Sequence, residues 1–186
     1  MWVDMNGIKF GKKGVQFKKE TGKKDLGFVF YLFFVMISLP VISYSFNNII
    51  SAIRLMFNPM MTFVDILLLI IYLSFNLIMC YYFGYASYSL MIKKPNAVPI
   101  VNLSLILLII LSFVELIIGR LRGELSLLDI LVFSLVLAQC GVWLSYFKFS
   151  KKAKKIYPEK DRVLYLKDKV LFAILLIMGS LIELFI

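Results

Sequence analysis

Apolar residues fall into five long runs along the chain, and short polar or basic segments separate these runs. A helix needs about 20 consecutive apolar residues to cross a bilayer, and the first four runs come close to this length or exceed it. The pattern predicts an all-α membrane protein, a bundle of four to five transmembrane helices, with spans at about 28–46, 63–90, 98–118, 125–147 and 170–186. Pro40 is expected to kink the first span, and residues 47–61 are expected to form an amphipathic connector.

The first 27 residues differ from the rest of the chain because they are polar and basic. Apolar and polar residues alternate on both sides of Gly11 and Gly14, a pattern typical of a short β-hairpin. An isolated hairpin is only marginally stable, so this one is expected to pack against lipid, a helix or another subunit. We therefore divide the chain into a basic cytoplasmic N-terminal segment, 1–27, and a transmembrane helical domain, 28–186.

The composition supports a membrane protein. Hydrophobic residues make up 61% of the chain, whereas a soluble domain usually has about 45–50% apolar residues. A small soluble fold leaves too much of its surface in water to hide this excess. Histidine is absent, and the two cysteines lie inside apolar runs, where they do not form a disulfide framework.

Basic residues predict the orientation of the helices. Of the 21 lysines and arginines, 18 lie in residues 1–27, in the turn at 93–94 or in the connector 148–169. These segments fall on one side of the predicted bundle, and by the positive-inside rule this side is cytoplasmic. We expect a multi-pass protein of the inner (plasma) membrane with a cytoplasmic N-terminus. The C-terminus is outside with five spans and inside with four.

Small and polar residues form stripes on the second and fourth predicted spans. The stripes are Asn76, Cys80, Gly84 and Ser87, and Ser134, Ala138, Gly141 and Ser145. Stripes of this kind allow close approach of helix backbones in lipid. One interpretation is that the two helices pack on each other or on a second copy of the chain. The alternative is a polar pathway past Asn76 and Gln139.

Four acidic residues lie near the helix ends opposite the lysines, namely Asp65, Glu115, Asp129 and Glu183. Charged groups at membrane depth are costly, so they usually pair or mark a function. One interpretation is a set of ordinary ion pairs that cap the helix ends. The other is a shallow outer site for a cation or a basic peptide.

Five lysines are concentrated just after the fourth predicted span, namely Lys148, Lys151, Lys152, Lys154 and Lys155. Orientation alone explains them under the positive-inside rule. They also form a candidate docking surface for anionic lipid head groups or an acidic soluble protein. Specific nucleic-acid binding is not predicted, because no recognition module accompanies the charge.

The sequence carries no recognisable catalytic constellation. It has no histidine to activate a cysteine or serine, no glycine-rich phosphate loop and no metal-ligand spacing. We therefore predict a protein that is not an enzyme and that uses no cofactor and no metal.

Two stretches resemble a family of small bacterial inner-membrane proteins known as domain of unknown function 2569. Residues 143–157, WLSYFKFSKKAKKIY, are similar to the end of that family's last helix, and residues 91–99, MIKKPNAVP, to the turn before its third helix. The resemblance covers about residues 28–157 and implies a four-helix membrane protein without an assigned activity. The family's opening Gly-Gly-Trp has no counterpart here.

Together these patterns predict a non-enzymatic membrane subunit that forms homo-oligomers and docks a soluble cytoplasmic partner or anionic lipid. Membrane components of bacterial defence and immunity systems are similar in size and in number of helices, and this analogy suggests such a role. The alternative is a small oligomeric ion channel or transporter subunit, whose lumen the Asn76 or Ser134 stripe would line.

Overall fold

The computed structural model describes residues 28–57, 61–159 and 162–185, and every regular element within them is a helix. These helices are α1 (Phe28–Met56), α2 (Phe63–Met91), α3 (Ala97–Arg122), α4 (Leu127–Phe149), α5 (Lys151–Ile156) and α6 (Leu166–Phe185). Helices α1 to α4 are long and apolar enough to cross a membrane. The predicted all-helical fold is confirmed for the described residues, while the predicted hairpin in residues 1–27 lies outside them.

The fifth predicted span corresponds to α6, which carries more charged residues at its start than a membrane span does. It begins at Leu166, before the predicted start at 170, and it therefore includes Lys167, Asp168 and Lys169. Among the described residues, four helices have the length and composition of membrane spans, and α6 is not one of them.

The first helix is longer than the sequence predicted. It continues through the expected connector to Met56, because a contact with α2 supports its second half. Asn48 Nδ2 donates a hydrogen bond to Asn76 Oδ1 over 3.2 Å, and Ile49 and Ala52 are buried. Tertiary packing therefore extends the helix beyond its most apolar part.

Pro40 lies inside α1 and is accommodated by a local change of helical type. Residues Phe34–Ser38 form a π-helical segment directly before it, where the Leu39 N–H donates to the Phe34 carbonyl. Proline has no N–H, so it cannot donate to the carbonyl of Met36 four residues earlier. Gln139 of α4 replaces this donor, since its Nε2 lies 2.6 Å from the Met36 carbonyl oxygen.

Helix ends are set by local sequence signals. Thr62 and Asp65 form a reciprocal capping box at the start of α2, and Ser126 and Asp129 form another at the start of α4. Each box satisfies backbone N–H groups that the first turn leaves unpaired. Gly123 ends α3 with φ of 76°, a left-handed conformation that glycine adopts without steric cost.

The helices pack in the order α1, α2, α3 and α4, and α6 lies against both α2 and α3. We call the end where α2 ends and α3 begins the basic end, and the opposite end the acidic end. Most of the core lies in the basic half, including the fully buried Phe33, Tyr82 and Phe147. Close packing here positions the loops of the basic end.

Candidate functional site

The polar stripe of α2 faces α1 in the structure. Ser87 Oγ donates to Ser38 Oγ over 2.6 Å, and Cys80 Sγ lies 3.7 Å from the Ile42 carbonyl oxygen. Asn76 is buried and bonds to Asn48 of α1. The sequence suggested the fourth span or a second copy as the partner of this stripe. Within the chain its partner is α1 and not the fourth span, and contact with a second copy stays a prediction. Gly84 lies on the same helix with no atom within 4 Å of an added Cβ.

The stripe of α4 is largely exposed. Ser134, Ala138 and Ser145 are exposed, Ala138 in a groove between α1 and α4, and a Cβ on Gly141 would meet nothing within 4 Å. Ser134 Oγ donates to the Ile130 carbonyl of its own helix. The α4 stripe therefore does not meet the α2 stripe within one chain.

The two amides proposed to mark a polar pathway are each used inside the fold. Asn76 Nδ2 donates to the Tyr72 carbonyl, and its Oδ1 accepts from Asn48. Gln139 of α4 donates to the Met36 carbonyl of α1, so it joins a different pair of helices. These side chains thus join neighbouring helices at two separate places in the described bundle.

Three of the four acidic residues lie together at the acidic end. Glu115, Asp129 and Glu183 line one cavity of about 330 Å³, together with Arg122. Arg122 Nη2 donates to the Glu183 and Leu184 carbonyls over 3.1 and 3.3 Å and so completes the end of α6. Among the described residues, no cluster of three cysteine or carboxylate side chains has the geometry of a metal site.

Asp65 does not line this cavity. Its Oδ2 accepts from the Thr62 N–H over 2.9 Å and from the Thr62 hydroxyl over 2.7 Å. Asp129 makes the equivalent bonds to Ser126. Both carboxylates therefore cap helices, and only Asp129 also faces the cavity.

At the basic end, the short helix α5 carries four of the five candidate docking lysines. Ser150 caps it by accepting a hydrogen bond from the Ala153 N–H. Ala153 is buried, whereas Lys151, Lys152, Lys154 and Lys155 are exposed. The helix is thus amphipathic, with its small apolar face on the bundle and its charges outward.

Hydrogen bonds attach the connector that follows α5 to the rest of the basic end. Tyr157 is buried, and its hydroxyl donates to the Leu90 carbonyl over 2.7 Å. This burial raises the pKa of Tyr157 well above its ordinary value. Arg162 Nη2 donates to the Phe147 carbonyl at the end of α4, and the Val163 N–H donates to the Pro95 carbonyl. The lysines of α5 are therefore held in a defined position.

One exposed ion pair lies within the lysine cluster. Lys154 Nζ is 2.9 Å from Glu159 Oε1. The hydrogen bond from Lys154 is the main cause that lowers the pKa of the Glu159 carboxyl. Exposed pairs contribute little to stability, so this pair chiefly reduces the net charge of the cluster by one.

The structure contains a buried polar contact that the sequence analysis missed. Asn96 Nδ2 donates to Asp168 Oδ2 over 3.0 Å and to the Tyr85 hydroxyl over 3.1 Å. Asn96 and Asp168 are both buried. Lys94 and Lys167 lie 4.8 and 5.7 Å from the centre of the Tyr85 ring. An acidic residue between two lysines at the start of α6 was the only sequence signal for this contact.

The contact joins the turn between α2 and α3 to the first turn of α6. Together with the bonds of Tyr157 and Arg162, it connects both basic loops to the same end of the bundle. Residues 93–94, 148–159 and 162–169 therefore lie at one end of the bundle, as their charge distribution suggested.

No protein-family model matches the chain, and the comparisons with curated proteins and with solved structures give no significant match. The resemblance to domain of unknown function 2569 therefore stays a prediction.

Proposed function

We propose that the chain is a non-enzymatic membrane subunit that crosses the bacterial plasma membrane with its basic end in the cytoplasm and forms homo-oligomers. Its function is to dock an acidic soluble protein or anionic lipid head groups on the lysines of α5. The proposal is supported most directly by the way α5 is held, with Ala153 buried and four lysines exposed. Helices α1 to α4 supply the lengths and apolar surfaces that insertion requires.

A fixed group of cations binds an anionic surface better than a mobile one, because less side-chain and backbone entropy is lost on binding. The hydrogen bonds of Tyr157 and Arg162 supply this restraint. Each lysine close to an anionic surface contributes about 1 kcal/mol. The attraction is screened beyond about 10 Å at 0.1 M salt, so docking is expected to weaken as salt rises.

The orientation is tested with single cysteines in a Cys80→Ser, Cys140→Ser background. In intact cells a maleimide that cannot cross the membrane should fail to label Lys155→Cys, and permeabilised cells should show full labelling. An exposed residue of the acidic end, introduced as Leu121→Cys, is the matched control and should be labelled in intact cells. Labelling of Lys155→Cys in intact cells would contradict the orientation.

Docking is tested by replacing Lys151, Lys152, Lys154 and Lys155 with glutamine in the full-length chain. The variant should lose an acidic soluble protein that co-purifies with the parent chain at low salt. The control replaces Lys167 and Lys169, two exposed lysines on α6, in the same way. Equal retention by parent and α5 variant would exclude α5 as the docking surface.

A further inference from the structure

A lateral groove runs between α1 and α4 in the basic half of the bundle. It has a volume of about 770 Å³ and opens on the side surface of the bundle. Leu32 and Met36 line one wall, Leu135 and Val142 line the other, and Lys152 of α5 lies at the end of the groove. The walls are apolar, so the groove is suited to hydrocarbon rather than to water.

The polar groups of the groove are unevenly distributed along its length. Gln139 lies in the wall, but its Nε2 donates to the Met36 carbonyl. Lys152 and Tyr146 lie at the basic end, and three more exposed lysines of α5 are next to Lys152 in sequence. A ligand that fits this distribution has an apolar body and an anionic head.

The length of the groove matches one leaflet of a bilayer. On α4 the lining residues extend from Leu135 to Tyr146, about 16 Å at a rise of 1.5 Å per residue. Half of a hydrocarbon core of roughly 30 Å is about 15 Å. An acyl chain that lies along the groove would thus place its head group beside α5.

We infer that the groove binds an anionic phospholipid from the leaflet at the basic end, with an acyl chain between α1 and α4 and its phosphate beside Lys152. The inference rests on the proposed membrane insertion and names the lipid ligand of the same basic end. An ammonium group attracts phosphate as a compact point charge. Tyr146 lines the same end of the groove, where an amphipathic ring favours contact with head groups.

Charge argues against the other occupants of the groove. The N-terminal segment has seven lysines against three acidic residues, so the four lysines of α5 would repel it. A second copy related by two-fold symmetry would bring an identical lysine cluster to the interface. An anionic lipid instead neutralises α5, and the N-terminal lysines add to that attraction.

The lysines, rather than the apolar walls, should decide which lipid binds. An acyl chain leaves one hydrocarbon environment for another when it enters the groove, so this step has almost no preference between head groups. One lysine near an anionic head contributes about 1 kcal/mol, which is about a five-fold preference. Selectivity for anionic lipid is therefore expected to depend on Lys152.

The test uses the full-length chain in nanodiscs that contain equal amounts of phosphatidylglycerol and phosphatidylcholine with identical acyl chains. Native mass spectrometry after release counts the lipids that each protein retains. The parent chain should retain phosphatidylglycerol at least five-fold over phosphatidylcholine. Equal retention of the two lipids would overturn the inference.

Two pairs of variants locate the lipid. Lys152→Gln should reduce the preference about five-fold, whereas Lys169→Gln, at an exposed lysine outside the groove, should leave it unchanged. Ala138→Phe should fill the groove and reduce retention of both lipids, whereas Ala173→Phe adds the same ring to an exposed position of α6. Equal effects within either pair would exclude the groove as the site.

These outcomes separate the inference from the proposed function. If the chain inserts correctly but shows no lipid preference, the inferred lipid site in the groove is refuted and the proposed docking of a soluble partner is unaffected. A chain that is not inserted, or has its lysines outside the cytoplasm by the cysteine test, would overturn both.

Discussion

The bond from Gln139 to the Met36 carbonyl compensates for the donor that Pro40 lacks, and it yields a quantitative prediction. Gln139→Leu should remove the side-chain donor to the Met36 carbonyl. Interhelical hydrogen bonds in membranes average about 0.6 kcal/mol and reach about 1.7 kcal/mol. Because one interhelical hydrogen bond is lost, we expect a loss of about 0.6–1.7 kcal/mol in the free energy of unfolding.

The causal role of proline is tested by a double-mutant cycle. Pro40→Ala restores a backbone N–H four residues after Met36, which can donate to the same carbonyl. In the Pro40→Ala background, Gln139→Leu should therefore cost less than about 0.5 kcal/mol. The difference between the two backgrounds is the coupling energy between Gln139 and Pro40.

The assay is reversible unfolding in mixed micelles with increasing dodecyl sulfate, followed by intrinsic fluorescence. Ser134→Leu on the same helix is the control, because the Ser134 hydroxyl donates only within its own helix to Ile130. It should change the free energy of unfolding by less than about 0.5 kcal/mol. If Gln139→Leu costs the same with and without Pro40, the proposed compensation is refuted.

Two further predictions concern packing and buried polarity. Gly179→Ala should be less stable than Gly141→Ala by about 1–3 kcal/mol in the same assay, because a Cβ at Gly179 would meet Leu111 Cδ2 at 2.5 Å and Phe75 at 3.1 Å, whereas a Cβ at Gly141 meets nothing. Comparing the two cancels the gain in helix propensity that both alanines share. Equal costs at the two glycines would contradict this packing argument. Asn96→Ala should cost about 1.5–3 kcal/mol by removing the donor to buried Asp168, and an unchanged unfolding midpoint would show that the bond is dispensable.

Local sequence determined the helical elements because each depends on neighbouring residues. Apolar length alone predicted α2, α3 and α4 to within a few residues. The caps at Asp65 and Asp129 follow from an acidic residue three positions after a threonine or serine. The turn at Gly123 has a similarly local cause.

Features that depend on contacts between residues distant in sequence could not be predicted from local sequence. The length of α1 depended on the contact between Asn48 and Asn76. The position of the first turn of α6 depended on the hydrogen bond from Asn96 to the buried Asp168. The α2 stripe could be recognised as a packing surface, but a stripe of small residues does not specify its partner. Only the tertiary structure assigned it to α1.

The sequence by itself determined that this protein is a helical bundle with chemically different ends, since hydropathy and charge are sums over local residues. The tertiary structure decided how those ends are built. It placed Glu115, Asp129 and Glu183 around one cavity and joined Tyr157 to the Leu90 carbonyl. It also formed a groove between α1 and α4, helices far apart in sequence, because shape between helices arises only when they pack.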